Sequence, residues 1–113
     1  MNPDALRNHL IGVARRGELT TYRRLAAAFD LNFSTPADRE RLAAALRDVS
    51  VAEHRTGRPL LSAVVVLARR RRPGAGFFDC ARAVGVLTNE TEEDFYEAEL
   101  ARVYRQWSTA IPS

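Results

Sequence analysis

Apolar residues recur along this chain as helical stripes divided by polar, turn-forming stretches, and one run departs from that rhythm. Leu6, Leu10, Val13 and Ala14 share a stripe, with Arg7, Arg15 and Arg16 off it, so the spacing predicts a first helix. Asn2-Pro3-Asp4 starts it with a capping side chain, a proline at the first position and an acid at the positive end of the dipole. Gly17 suits its stop. In "ELTTYRRLAAAF", residues 18 to 20 read as a short strand and Thr21 as a cap. Tyr22, Leu25, Ala26 and Phe29 then repeat at helical spacing. Thr35-Pro36-Ala37-Asp38 opens a third helix, whose buried face is Leu42, Ala45, Leu46 and Val49. Ser50-Val51-Ala52-Glu53 fits a capping box, which predicts a break near Asp48 and a short helix over residues 51 to 56. Gly57 and Pro59 would end it.

The departure is "LLSAVVVLA", residues 60 to 68, rich in β-branched residues and apolar on both faces; it predicts a covered strand. Four arginines and "PGAG" follow, and then Phe77, Phe78, Ala81 and Val84 suit a short helix closing at Gly85. Thr91-Glu92-Glu93-Asp94 opens a last helix carrying Phe95, Tyr96, Leu100, Val103 and Trp107, and the tail "TAIPS" reads as frayed. The fold class expected is mostly α with a small β component. It takes the form of a compact, winged-helix-like domain of five or six helices and one or two short strands, with residues 1–113 as one domain.

Composition narrows the classes. A chain of 113 residues, 46% hydrophobic, can bury one sizeable core. No apolar run approaches the roughly 18 residues of a membrane span, and "MNPDALRNHL" lacks a secretory signal's basic start and apolar stretch. One cysteine, Cys80, and two histidines, His9 and His54, exclude a disulfide framework and speak against a metal centre. A cytoplasmic protein without a cofactor is expected.

Charge then changes the picture. All 17 basic residues are arginine. Residues 1–89 hold 15 arginines against 8 acids, a balance of +7, whereas residues 90–113 hold 2 against 6, a balance of −4. A basic body with an acidic C-terminal helix points to a polyanionic partner, since basic clusters are electrostatic footprints.

The order "GELTTYRRLAAAF", helix, "PLLSAVVVLA", over about residues 17 to 68, resembles the winged-helix domain of DNA alkyltransferases and alkyltransferase-like proteins. The resemblance implies a Thr-Tyr motif capping one helix, an arginine-bearing recognition helix and a DNA partner. Where that family carries a Pro-Cys-His-Arg segment this chain reads "RPLLSAVVV", so its alkyl-acceptor chemistry is not carried over. The run "GRPLLSAVVVLARRRRPGAGFFDCARAVG" also resembles a group of small bacterial proteins sharing a Leu-Ser-Ala-Val-Val strand and a Pro-Gly-x-Gly-Phe-Phe turn. That likeness implies a domain and no activity.

Arg69, Arg70, Arg71 and Arg72 read as a wing-like tip aimed at phosphates, or as a solvated turn; in an extended run alternate side chains would face opposite sides. Arg39, Arg41 and Arg47 would face nucleic acid from the third helix, and Arg23 and Arg24 from the second. Gly74 and Gly76, before a helix, suit a tight turn or an anion-holding one. Tyr96, Tyr104 and Trp107 are candidates for a protein or homodimer interface. Cys80 and His54 lack the third orienting group of a nucleophilic site, so no catalytic residues are assigned. The expectation is a non-catalytic nucleic-acid binding domain, DNA in the first instance; the alternative is a protein–protein interaction module using its C-terminal helix.

Overall fold

A computed structural model describes residues 1–108, and the tail read as frayed, residues 109–113, lies outside them. Local hydrogen bonds set the helix starts. In α1 (Pro3–Arg15) the Asn2 side chain accepts from the Asp4 and Ala5 N–H groups at 2.9 and 3.2 Å. Thr21 caps α2 (Tyr22–Ala28), Thr35 caps α3 (Pro36–Arg55) and Thr91 caps α5 (Glu92–Trp107), each accepting the N–H three residues on. A threonine at these positions supplies the acceptor that the first helical turn lacks. α4 (Ala75–Ala83) begins at Gly74 with no side-chain cap.

Two expectations about the middle of the chain fail, for one reason. α3 does not break at Ser50 but runs on as one helix to Arg55, ending where Gly57 takes φ +80°. Ser50 is fully buried, and its hydroxyl donates to Ser62 Oγ at 2.7 Å and accepts the Ser62 N–H at 3.1 Å. It therefore cannot cap. Residues 60 to 68 are not one strand: a 3₁₀ turn occupies Leu61–Val64, and β2 is only Val65–Val66. β2 pairs in parallel with β1 (Thr20–Thr21), in the register Thr20 to Val65 and Thr21 to Val66.

A buried segment must satisfy every backbone donor, and a two-residue partner cannot offer a longer ladder. The remaining donors go elsewhere. The Leu60 N–H reaches Glu99 Oε2 at 2.8 Å, that of Ser62 reaches Ser50, and that of Ala63 reaches the Leu60 carbonyl at 3.1 Å. Every residue from Leu60 to Val66 is buried, so the expected cover on both faces holds as far as Val66, whereas Leu67 is half-buried and Ala68 exposed.

The result is mostly α with a small β component. α1, α3 and α5 pack around the 60–66 segment, and Leu6, Leu10, Leu42, Leu61 and Val103 are among the residues sealed at its centre. The sheet is a parallel pairing of two two-residue strands, and no antiparallel hairpin that could serve as a wing occurs among the described residues. No helix among the described residues is long and apolar enough to cross a membrane.

Candidate nucleic-acid interface

β2 runs out after Val66, and the chain turns at once. The Leu67 carbonyl accepts the Arg71 N–H at 2.8 Å, and the Leu67 N–H donates to the Arg72 carbonyl at 2.9 Å. The arginine run is thus a tight turn closed on Leu67, not an extended segment with alternating side chains. Arg71 sits at φ +52°, a conformation non-glycine residues seldom take. Arg69, Arg70 and Arg71 are exposed and Arg72 is half-buried. Buried Pro73 leads back to the body, where the Gly74 N–H donates to the Tyr22 hydroxyl at 2.9 Å. That bond ties the turn to the start of α2. Burial raises the Tyr22 hydroxyl pKa, and the Gly74 bond opposes it.

Around this bond the predicted arginines gather. On one side, Arg24 and Arg71 line a groove with Thr21 and Val66. On the other, Arg39 and Arg47 rim a cleft of about 250 Å³ that includes Tyr22, Leu67, Gly74 and Gly76. Both openings flank the seam where the chain leaves the paired strands. Phe33, from the loop before α3, stacks on Tyr22 with ring centres 6.3 Å apart. The guanidinium groups of Arg23 and Arg39 lie 5.2 and 5.9 Å from the Phe33 ring centre. Arg39 also donates to the Phe33 and Ser34 carbonyls at 3.0 and 3.3 Å. Arg41 is drawn elsewhere, to Asp38 at 3.4 Å.

Eleven of the 17 arginines have no carboxylate partner among the described residues, Arg15, Arg55 and Arg105 as well as the candidate set without Arg41. Among the described residues, Arg23, Arg24, Arg39, Arg47, Arg69, Arg70, Arg71 and Arg72 form no ion pair with a carboxylate. Two of the C-terminal acids have other partners: Glu92 meets Arg82 at 2.8 Å, and Glu99 takes Arg102 at 2.5 Å besides the Leu60 N–H. Neither reaches the 69–72 turn. Two acids are buried against expectation, Glu53 at 1% and Glu99 at 3% exposure. Glu53 accepts from Arg7 Nε and Arg58 Nε, each at 2.5 Å. The signal was present: positions 42, 46, 49 and 53 continue one helical stripe, which the supposed capping box concealed.

The aromatic residues proposed as an interface are engaged within the chain. Tyr96 is buried and its hydroxyl donates to the Ala63 carbonyl at 3.1 Å. Burial, with the neighbouring Tyr104 and Tyr22, pushes that hydroxyl up to about 12, against the pull of Arg71 and Arg72. The Tyr104 hydroxyl donates to the Glu18 carbonyl at 2.7 Å. Trp107 lies against two guanidinium groups, Arg7 at 5.4 Å and Arg58 at 5.9 Å from its ring centre. Cys80 is buried at the cleft; burial pushes its thiol up, with Arg47 pulling the other way. No hydrogen bond joins Cys80 to His54 among the described residues, and no group of three or more His, Cys, Asp or Glu side chains there could hold a metal ion. No protein-family model, curated protein or solved structure matches this chain.

Proposed function

We propose that this chain binds nucleic acid, in the first instance duplex DNA, through phosphate contacts. The contacts come from Arg69, Arg70, Arg71 and Arg72 on the turn, Arg23 and Arg24 on α2, and Arg39 and Arg47 on α3. The observation that carries this reading is that Arg24, Arg39, Arg47 and Arg71, none of them paired with a carboxylate, line the two openings beside the arginine turn, while Glu92 and Glu99 of α5 pair elsewhere. Guanidinium groups held apart from carboxylates keep their donors free for phosphate oxygens, which their planar fork fits. Arg41 drops out of the set because Asp38 holds it. Tyr96 and Tyr104, read as candidates for a protein interface, give their hydroxyl protons to the Ala63 and Glu18 carbonyls of the chain itself.

Fluorescence anisotropy with a short labelled duplex at several salt concentrations tests the proposal. Each phosphate neutralised contributes about −0.9 to the slope of log K against log salt. A slope steeper than about −3 is expected, and no binding at low salt contradicts the reading. Arg71→Gly separates turn geometry from charge. Glycine accepts the positive φ that strains arginine, so stability holds or rises by about 1 kcal/mol while the slope loses about 0.9.

A further inference from the structure

The cleft beside Tyr22 has a chemistry of its own, although its Arg39 and Arg47 also belong to the proposed nucleic-acid contacts. Its wall is mainly apolar, built from Leu46, Leu67, Phe77, Ala43 and the Phe33 ring. Its hydrogen-bonding capacity is lopsided. The Tyr22 oxygen already accepts the Gly74 N–H, yet its own O–H proton meets no acceptor among the described residues. Arg47 contributes a guanidinium with no ion pair, and Arg39 one that uses a single nitrogen on two backbone carbonyls. No carboxylate lines the opening. What is left over is donor capacity and positive charge above an apolar floor, which fits an occupant with an apolar body and one anionic, acceptor-rich end.

Size narrows the class further. About 250 Å³ lies just below the range of roughly 300–1,000 Å³ that holds drug-sized ligands, so one ring or a short branched chain fills it. We infer that the cleft between α2, α3 and the start of α4 is a binding site for a small organic carboxylate with a single-ring or branched apolar body. The body lies against Phe77, Leu46 and Phe33, and the carboxylate faces Arg47, with Arg39 and the Tyr22 hydroxyl beside it. A planar carboxylate matches a guanidinium fork two bonds at a time, whereas a neutral amide of the same shape offers one acceptor oxygen and no charge, and its NH₂ meets no carboxylate in the lining.

Two-dimensional amide NMR titration of the full chain with 3-phenylpropionate and, separately, 3-phenylpropionamide tests the inference. Expected are saturable shifts for the acid at Leu67, Gly74, Gly76 and Phe77, with the amide binding about tenfold more weakly or worse. Arg47→Gln removes most of that preference for the acid, while Ala43→Trp, which fills the mouth from an exposed helical position, weakens both compounds. Wild-type-like spectra of the free variants show that each still folds. Absence of saturable shifts with the acid, equal affinity for acid and amide, an unchanged preference in Arg47→Gln, or shifts that map away from the cleft overturns the assignment. Because no nucleic acid is present, the outcome is separate from that of the salt titration.

Discussion

Changing Arg69, Arg70, Arg71 and Arg72 together to alanine removes most of the affinity for duplex DNA and flattens its salt dependence. If each side chain neutralises one phosphate, the slope loses about 3.6, and affinity at low salt falls roughly a hundredfold or more. The fold survives the change. The turn is closed by backbone bonds between Leu67 and residues 71 and 72, and its arginines hold no acid of the body. Removing four neighbouring positive charges also relieves their mutual repulsion. Urea unfolding therefore shifts little, and the binding loss cannot be put down to misfolding. Equal DNA binding by this variant would sink the role given to the turn.

The second large effect is on stability, at Glu53. This carboxylate is buried on the α3 stripe and accepts from Arg7 of α1 and from Arg58 beyond the end of α3. Those two guanidinium groups flank Trp107 of α5, so one buried acid organises the contact of three helices. Glu53→Ala leaves two partly exposed cations without their anion and opens a cavity; water reaches the guanidinium groups in part, so the cost is about 2–4 kcal/mol. That is a large part of the roughly 5–15 kcal/mol that holds a domain of this kind together. Burial by itself would push the Glu53 carboxyl up, but the hydrogen bonds and charges of Arg58 and Arg7 outweigh it and hold the carboxyl below its ordinary 4.5.

The sign of the pH effect follows. The unfolded chain takes up the proton first as pH falls, so this contribution is complete above the ordinary glutamate range and is lost as pH drops through the lower folded value. Glu53→Gln, which does not titrate, loses less stability than the native chain between about pH 6 and pH 3. Urea midpoints, followed by fluorescence of the single tryptophan, measure both effects. Matching losses in the two chains would contradict the assignment.

Helix starts were legible because they are made locally. Asn2, Thr21, Thr35 and Thr91 each bond a backbone group two or three residues away, and the same residue types announce themselves in one dimension. The 60–66 segment was illegible as to type because its bonds are long-range. Leu60 turns to Glu99 and Ser62 to Ser50, while only Val65 and Val66 find a strand to pair with. β-branched composition reports burial on two faces, which a 3₁₀ turn in a core satisfies as well as a strand does.

The site divides in the same way. That the 69–72 arginines are exposed, Arg72 half so, was readable from their density of charge. Their convergence with Arg24, Arg39 and Arg47 was not, because it hangs on Tyr22 meeting Gly74 across 52 positions of chain. Ser50 and Glu53 show the opposite hazard. A correct local motif lost to a longer helical stripe whose buried partners lay in α1 and beyond α3.

The most direct measurement follows the arginine side chains themselves, through their Nε–H signals in the labelled chain as duplex DNA is added at low salt. The account predicts shifts or broadening at Arg24, Arg47, Arg69, Arg70 and Arg71, with Arg7, Arg58 and Arg102, which hold buried carboxylates, left where they were. Perturbation of the carboxylate-bound set alone, or no change at any arginine while DNA is present in excess, would contradict it.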